Sequence, residues 1–270
     1  MRDRRPGPVT RTRVTEFDGQ RERQREDRLV TEEPLEIRLA WPGRPAERVW
    51  VTMRTPGHDF ELVAGWIAHE GLGTVSRIAY CTDVDLAPDQ EFNVVTATLE
   101  QAPSEVPHQH ESVTAGSSAC GVCGRDSVQA AIPDPALAWS GPAPHPDVVR
   151  RLPNALRQKQ RVFDRTGGVH AAGLADAQGT LLVVREDVGR HNAVDKVTGA
   201  RIMAGESPSE AALVVSGRAG FELVQKALAA GIGTMISVGA PTSLAVDLAR
   251  TGGLSLYGFT SAERTVRYTT

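Results

Sequence analysis

The amino-acid sequence predicts an α/β protein in two lobes, with a mostly parallel sheet flanked by helices in the C-terminal lobe. In the last third of the chain short aliphatic strands alternate with helices, which is typical of parallel sheets with right-handed crossovers. The strands cover residues 213–216, 234–238 and 254–257, and the helices between them cover residues 219–230 and 243–250. The first third alternates apolar and polar residues at period two around one helical stretch, which predicts a smaller α+β lobe.

The composition is that of a globular protein. The chain has 270 residues, of which 40% are hydrophobic and 23% charged, and its formal net charge is −3. This charge offers no general electrostatic basis for binding nucleic acid. No apolar run approaches the roughly 20 residues of a membrane span, and the N-terminus lacks the apolar stretch of a secretory signal. Three cysteines are too few for a disulfide scaffold, so we expect a cytoplasmic protein. From its charge and its short apolar runs we expect neither a nucleic-acid partner nor a membrane partner.

Changes in composition mark the domain boundaries. Residues 1–28 are charged and nearly free of aliphatic side chains, so we expect a disordered tail there. Residues 29–132 form the N-terminal α+β lobe, which ends in a loop with two cysteines. A proline-rich hinge over residues 133–146 separates this lobe from the C-terminal α/β lobe over residues 147–270.

The N-terminal lobe is predicted to contain a hairpin, a helix and two further strands. The hairpin strands are residues 35–39 and 49–53, the helix is residues 58–69, and the further strands are residues 77–81 and 92–99. Cys81 ends the third of these strands among apolar neighbours. Because free cysteine is one of the most buried residue types, we expect Cys81 to fill the core.

The C-terminal lobe should open with a helix capped by Asp147 and interrupted at Pro153. A glycine turn at residues 166–168 leads into an apolar segment, and a buried type of strand follows at residues 181–184. Next comes the run Arg-Glu-Asp-Val-Gly-Arg-His-Asn over residues 185–192, before a helix over residues 193–204. The run is denser in charge than a core turn requires, so we favour a functional role for it, His191 included.

The carboxyl ends of the last three strands are predicted to meet at one edge of the sheet. They cover residues 216–218, 239–243 and 258–260, and the first two lead into helices. Open α/β sheets bind ligands at this edge. The free N–H groups of two helix N-termini, together with Arg218 and the hydroxyls of Thr242 and Ser243, make it a candidate anion site.

The most informative stretch is the C-x-x-C pair of Cys120 and Cys123, in which a glycine follows each cysteine. Residues 114–118, which precede it, are small and polar, so we expect a loop with both sulfurs accessible. Such a pair can bind a metal, cycle between dithiol and disulfide, or carry a sulfur atom on one thiol. Each use requires a thiolate, which is the reactive form of the side chain.

The surrounding sequence favours some of these uses over others. Zinc needs about four ligands, and only His108 and His110 lie close enough in sequence to complete a set with the two cysteines. A thioredoxin-type motif would lie at a strand–helix junction, which is not visible here. A zinc deaminase needs a glutamate two residues after its histidine, but alanine follows His170 there. A carrier of persulfide sulfur fits best, and the zinc and redox uses remain alternatives.

Several motifs resemble the FdhD family of formate dehydrogenase accessory sulfurtransferases. They cover residues 118–124, 166–172, 185–196, 216–226 and 240–246, with further similarity at residues 33–35, 55–56 and 70–71. The resemblance runs from about residue 30 to the end of the chain, and its motifs keep their order. It is therefore specific, and it leaves out only the charged N-terminal segment.

This resemblance implies a concrete function. A family member accepts sulfur from a cysteine desulfurase and passes it to the molybdenum bis(molybdopterin guanine dinucleotide) cofactor, before that cofactor enters formate dehydrogenase. It implies that Cys120 carries the persulfide, that Cys123 assists the transfer, and that the protein is a homodimer. It also implies a C-terminal lobe with the cytidine deaminase-like fold but without zinc, so no structural metal is expected. The implied cofactor-binding residues are Phe259, Thr260, Ser261, Ala262, Glu263 and Arg264, to which we add Arg218 as a candidate ligand of the phosphates.

Two other functions remain open on the sequence. The same lobe could bind the cofactor or the apo-enzyme as a chaperone, without any cysteine chemistry. The C-x-x-C pair could instead stabilise a small zinc-binding module. The chaperone requires no thiolate, so the two cysteines discriminate between it and the carrier.

Overall fold

The structure is a computed structural model that describes residues 6–81, 92–104 and 138–269. The strands are β1 Val9–Asp18, β2 Arg21–Val30, β3 Glu33–Trp41, β4 Arg44–Arg54, β5 Val75–Tyr80, β6 Val94–Leu99, β7 His170–Ala175, β8 Leu181–Asp187, β9 Ala212–Val215, β10 Thr234–Ser237, β11 Ser255–Gly258 and β12 Val266–Arg267. The helices are α1 Asp59–His69, α2 Pro146–Arg157, α3 Arg161–Thr166, α4 Arg190–Met203, α5 Phe221–Ala229 and α6 Ser243–Thr251. The mixed α/β class predicted from the sequence is confirmed.

The N-terminal segment forms a two-stranded antiparallel hairpin. Strands β1 and β2 pair along their whole length, from Val9 opposite Val30 to Asp18 opposite Arg21. The disordered tail predicted over residues 1–28 is therefore wrong for residues 9–28. The hairpin has no buried face, so it shows no hydrophobic period by which the sequence could reveal it. Its strands are joined instead by backbone pairing and by ion pairs such as that of Arg23 with Glu16.

Strands β3 to β6 form a four-stranded sheet in the order β4-β3-β6-β5. β3 pairs antiparallel with β4, as predicted, and parallel with β6. Helix α1 covers one face of this sheet, where Leu62, Val63 and Ile67 are buried against the inward side chains of β3 and β6. Trp66 of α1 stacks on Trp50 of β4 with ring centroids 5.1 Å apart.

Cys81 follows β5 and is half-buried, whereas the sequence predicted a core position. Its Sγ lies 3.9 Å from Nη1 of Arg38.

Two details of α2 differ from the prediction. His145, not Asp147, is the N-cap residue, and its Nδ1 accepts a hydrogen bond from the Asp147 N–H. Pro153 lies inside the helix without ending it. The buried apolar face of α2, formed by Val148, Val149, Leu152 and Leu156, explains why the helix continues. Packing of this face outweighs the hydrogen bond that a proline removes.

The C-terminal sheet has six strands in the order β12-β11-β10-β9-β7-β8. Strands β9, β10 and β11 are parallel, as the alternation of strands and helices predicts. Strands β7 and β12 run antiparallel to their neighbours, and β7 and β8 form a hairpin. The sheet is thus mixed rather than mostly parallel, because β7 and β8 are joined by a tight turn and not by a crossover helix.

Helices cover both faces of the C-terminal sheet. Helices α4, α5 and α6 pack on one face around a core that includes Val197, Leu223 and Leu248. Helix α2 packs on the other face against residues such as Val214 and Ile236. This three-layer arrangement leaves the ends of the strands as the accessible edge of the sheet.

Helix α1, which packs on the four-stranded sheet, lies directly against α4, which packs on the six-stranded sheet. Between them is a buried polar cluster, in which Nδ1 of His69 lies 2.6 Å from Oδ1 of Asp195. Nζ of Lys226, from α5, lies 2.6 Å from the same oxygen. Burial lowers the pKa of His69, and the nearby charge of Lys226 lowers it further, although Asp195 opposes both effects. Three helices are therefore linked through one carboxylate.

Candidate functional site

The predicted edge of strand ends is present. The loops after β9, β10 and β11 lie side by side, joined by backbone hydrogen bonds. The Gly239 N–H donates to Gly217 O at 3.0 Å, the Phe259 N–H donates to Gly239 O at 3.0 Å, and the Thr242 N–H donates to Ala219 O at 3.0 Å. These bonds fix the three loops as one surface, which we call the strand-end surface (residues 216–220, 238–242 and 259–264).

Arg218 lies on this surface with its side chain exposed. A Cβ atom on Gly239 would lie 3.0 Å from Arg218 Cγ, so the glycine makes room for the arginine. Within the described part of the chain, the Arg218 guanidinium has no hydrogen-bonding or ion-pairing partner. Arg218 therefore stays a predicted ligand of an anion.

The predicted cofactor segment divides into a buried and an exposed part. Thr260 is buried, its N–H donates to Ser237 O at 3.1 Å, and its hydroxyl lies 2.9 Å from that of Thr265. Its role is therefore to hold the loop. Ser261, Ala262, Glu263 and Arg264 are exposed in a tight turn closed by the Ser261 N–H, which donates to Arg264 O at 2.7 Å.

Phe259 has an unusual backbone and an exposed ring. Its φ of 50° lies in the left-handed region that non-glycine residues seldom adopt. The side chain is 46% exposed, and the Arg264 guanidinium carbon lies 5.7 Å from the ring centroid. Val238 and Leu244 are also exposed nearby on the loops and helix of this edge. Strained and exposed apolar residues at a strand end are typical of a binding site.

Two histidines lie at the same edge. His170 begins β7 opposite the end of β9, and a Cβ atom on Gly217 would lie 3.4 Å from its Nδ1. Burial, then the charges of Arg190 and His191, lower the pKa of His170, so its imidazole is neutral near pH 7. His191 is the second residue of α4, and its Nε2 lies 2.6 Å from Glu222 Oε2. The sequence singled out both histidines, but Glu222 was not predicted.

Most of the charged run over residues 185–192 serves the joint between the sheets. Asp187 is fully buried, and its Oδ2 lies 2.6 Å from Nζ of Lys196 and 3.1 Å from the Thr55 backbone nitrogen. Asn192 donates to Met53 O at 2.8 Å. The functional role predicted for the run therefore stays a prediction for the residues that this joint does not use, among them the half-buried His191.

The cysteine pair lies outside the described residues. Cys120 and Cys123, like His108 and His110, fall within residues 105–137. The described chain resumes at Ala138, and the next residue, Trp139, packs on Gly233 at the start of β10. Among the residues that the structure describes, no group of three or more His, Cys, Asp or Glu side chains is arranged to hold a metal ion.

The strand-end surface has the chemistry that a large anionic, ring-bearing ligand requires. Arg218 and Arg264 supply positive charge, and Phe259 supplies an exposed aromatic face. A guanine dinucleotide combines phosphates with a planar ring, so these side chains are of the types that the cofactor implied by the family resemblance would need. Within the described ranges, no helix is long and apolar enough to cross a bilayer.

Comparison with known proteins gives a consistent result. A family model described as the FdhD/NarQ family matches residues 30–270. The chain is 46% identical over 256 residues to the sulfur carrier protein FdhD of Corynebacterium efficiens, covering 90% of each chain. It is 45% identical over 266 residues to the protein of the same name from Nocardia farcinica, covering 95% of this chain and 92% of the relative.

A solved structure shares the fold. It is a crystal structure of a protein provisionally described as a formate dehydrogenase accessory protein, from Desulfotalea psychrophila. The TM-score is 0.72, with 21% sequence identity over 97% of both chains. The arrangement of both sheets is therefore not peculiar to this sequence.

Proposed function

The chain belongs to the FdhD/NarQ family, and we propose that it is a sulfurtransferase that carries sulfur for the maturation of formate dehydrogenase. This proposal rests on the similarity to relatives named sulfur carrier protein FdhD, which are 45–46% identical to this chain over most of its length and most of theirs. The C-x-x-C pair supplies the chemistry that such a carrier needs. The proposal places the reaction in the cytoplasm.

The sulfur would be carried as a persulfide on Cys120. The Cys120 thiolate attacks the outer sulfur of a persulfide on a cysteine desulfurase, forming a new S–S bond while the bond to the desulfurase sulfur breaks. The bonding electrons leave with the desulfurase thiolate, so the exchange needs no external oxidant or reductant. Cys123 would assist by relaying the sulfur: its thiolate attacks the outer sulfur of the Cys120 persulfide, and the electrons of the broken S–S bond leave with the Cys120 thiolate.

The acceptor would be the molybdenum bis(molybdopterin guanine dinucleotide) cofactor, held at the strand-end surface. Arg218 and Arg264 would balance the phosphate charge, and the Phe259 ring would contact the guanine. Ser261, Ala262 and Glu263 would form the turn beside the bound cofactor, and buried Thr260 would hold that turn in place. When bound, the cofactor supplies the metal centre that receives the sulfur. The chain contributes binding, orientation and the sulfur itself.

Two further features of the family belong to this proposal. The C-terminal sheet with its helices would be a cytidine deaminase-like scaffold that has lost its zinc, since alanine replaces the catalytic glutamate after His170. The protein would act as a homodimer that meets the desulfurase and formate dehydrogenase in turn.

A chaperone without cysteine chemistry is the second candidate. It is favoured by the strand-end surface, which combines positive charge with an exposed ring independently of the cysteines. In that case a Cys120→Ala protein would still support formate dehydrogenase activity. The carrier requires the opposite result.

Intact-mass measurement after incubation with a cysteine desulfurase and cysteine tests the carrier directly. We expect the parent protein to gain one sulfur atom, and to lose it on treatment with a thiol reductant. Cys120→Ala should show no gain, whereas Cys81→Ala, which removes the half-buried cysteine, should gain sulfur as the parent does. A parent protein that gains no sulfur would favour the chaperone.

A further inference from the structure

The hairpin β1–β2 is a separate two-stranded sheet that precedes the region matched by the family model. It rests on α3 at its base, where Val30 packs against Gly168. Its ten-residue strands extend roughly 34 Å. A two-stranded ribbon is at best marginally stable in water without a third strand or a covering element. Within the described ranges, neither of its outer edges is paired with another strand.

The two outer edges differ in chemistry. Strand β2 is dominated by charged side chains, which resist pairing with another strand. They are Arg21, Glu22, Arg23, Arg25, Glu26, Asp27 and Arg28. Half of β1 is instead β-branched, a composition that favours strand pairing. These residues are Val9, Thr10, Thr12, Val14 and Thr15. The open edge of β1 is therefore the one suited to accept a strand.

We propose that β1 pairs antiparallel with β1 of a second copy of this chain, with the two-fold axis at Val14, to form a four-stranded sheet. Directly paired residues of two strands lie on the same face of a sheet. A two-fold axis perpendicular to the sheet therefore pairs the residue at the axis with the same residue of the second copy. Centring on Val14 places Arg13 opposite Thr15 and Thr12 opposite Glu16. Centring on Arg13 would oppose two arginines, and centring on Thr15 would shorten the overlap.

This register also covers the most exposed large apolar side chain of the hairpin. Phe17 is 73% exposed near the turn. In the proposed pairing it lies opposite Arg11 of the second copy, where a guanidinium can rest on its ring. Arg11 faces Arg28 across its own hairpin, a like-charged pair that the exposed contact of Arg11 with Glu26, at 3.4 Å, offsets only in part. The added strand brings Glu22 of the second copy, the cross-strand partner of Phe17, toward this pair.

The charge of the hairpin favours a second copy over a nucleic acid or an acidic protein. Residues 9–30 hold six arginines and five carboxylates, so they are nearly neutral as a whole. Binding to a polyanion depends on an excess of positive charge. Pairing with an identical strand depends on self-complementary side chains, which β1 has. The inference gives the proposed homodimer a specific interface, and it does not depend on the sulfur chemistry.

Disulfide trapping tests the register. In a chain with Cys81→Ala, Cys120→Ala and Cys123→Ala, Val14→Cys places two thiols at the two-fold axis. Facing Cα atoms in an antiparallel pair are about 4.5–5.5 Å apart, within the range of a disulfide. Thr12→Cys, in the same background and on the same face, is the matched control. Its counterpart lies four residues along the strand, roughly 13 Å away.

Under mild oxidation we expect Val14→Cys to form a covalent dimer at least tenfold faster than Thr12→Cys, with circular dichroism confirming that both variants fold. Equal rates for the two variants, or no covalent dimer of Val14→Cys, would overturn the proposal. A dimer by light scattering without trapping at Val14 would assign self-association to another surface. Sulfur loading of the chain with its native cysteines is measured separately, so failure of the carrier function leaves this result unchanged.

Discussion

Gly65 of α1 and Gly199 of α4 let the two helices cross with their backbones in contact. A Cβ atom on Gly65 would lie 1.9 Å from the Asp195 carbonyl oxygen, and one on Gly199 would lie 1.8 Å from the Glu61 carbonyl oxygen. No side chain fits between the helices at these points. Since α1 belongs to the four-stranded sheet and α4 to the six-stranded sheet, this crossing sets how the two sheets meet.

Replacing Gly199 by alanine should destabilise the protein by about 2 kcal/mol. Alanine gains up to about 1 kcal/mol of helix propensity over glycine, but a methyl group forced against backbone must push the helices apart. Urea unfolding measures the difference. The control is Gly220→Ala, since a Cβ atom there meets nothing within 4 Å, and it should change stability by less than about 1 kcal/mol. Equal stability of Gly199→Ala and the parent would contradict the close crossing.

Replacing Lys196 by methionine should cost about 3–5 kcal/mol of unfolding free energy. Lys196 is 1% exposed, and its loss leaves the Asp187 carboxylate buried without a cationic partner. The Arg250–Asp247 pair provides the control, because both side chains are exposed. Arg250→Met should change stability by less than about 1 kcal/mol. Similar losses in the two variants would show that the buried pair has no special role in holding the sheets together.

The ion pair of Glu61 with Arg185 predicts a loss of stability in acid. Burial alone would raise the pKa of Glu61, but hydrogen bonds from Arg185 and His58 outweigh it and lower the pKa from 4.5 to about 2. A carboxyl whose pKa falls on folding stabilises the protein above its unfolded pKa, and this contribution disappears as pH falls from about 4.5 toward 2.

Glu61→Gln should therefore lose roughly 1–2 kcal/mol at pH 7, a figure reduced for the partial exposure of the pair. Near pH 2.5 its stability should approach that of the parent. Denaturant unfolding at several pH values measures both effects. The control is Glu47→Gln, which removes an exposed carboxylate paired with Arg44. If the difference in unfolding free energy between the parent and Glu61→Gln is the same at pH 7 and at pH 2.5, the assignment is refuted.

The sequence predicted the elements that local pattern determines. The parallel strands β9, β10 and β11 and their meeting edge follow from the alternation of aliphatic strands and helices, and the structure has them. The turn after Thr166 was also predictable, since Gly167 adopts a φ of 66° there. Each of these features depends on residues close together in the chain.

Features that depend on distant residues were not predictable. Gly65 and Gly199 look like weak points within two helices, and only their contact shows why glycine is required. His69 lies in an ordinary helical stretch, and its role becomes clear only from its contact with Asp195. Likewise, the charge of Asp187 suggested chemistry, whereas its burial beside Lys196 shows a structural link. One sequence cannot distinguish a charge that binds a ligand from one that joins two sheets.

The strand-end surface predicts binding of guanosine diphosphate, a soluble part of the proposed cofactor, by the folded protein. Arg218→Ala should weaken this binding about tenfold, because a charge-assisted contact to phosphate is worth roughly 1.4 kcal/mol or more. Phe259→Ala should weaken it by a similar factor through loss of the ring contact. Titration calorimetry on the purified chain measures both, and the unfolding free energy of each variant shows that its fold is intact.

The controls are Arg250→Ala and Phe17→Ala, which remove an exposed arginine and an exposed phenylalanine away from this surface. If the site is correct, only the first two variants lose affinity. If Arg218→Ala binds guanosine diphosphate as tightly as the parent, the phosphates are held elsewhere, and the sulfur acceptor with them.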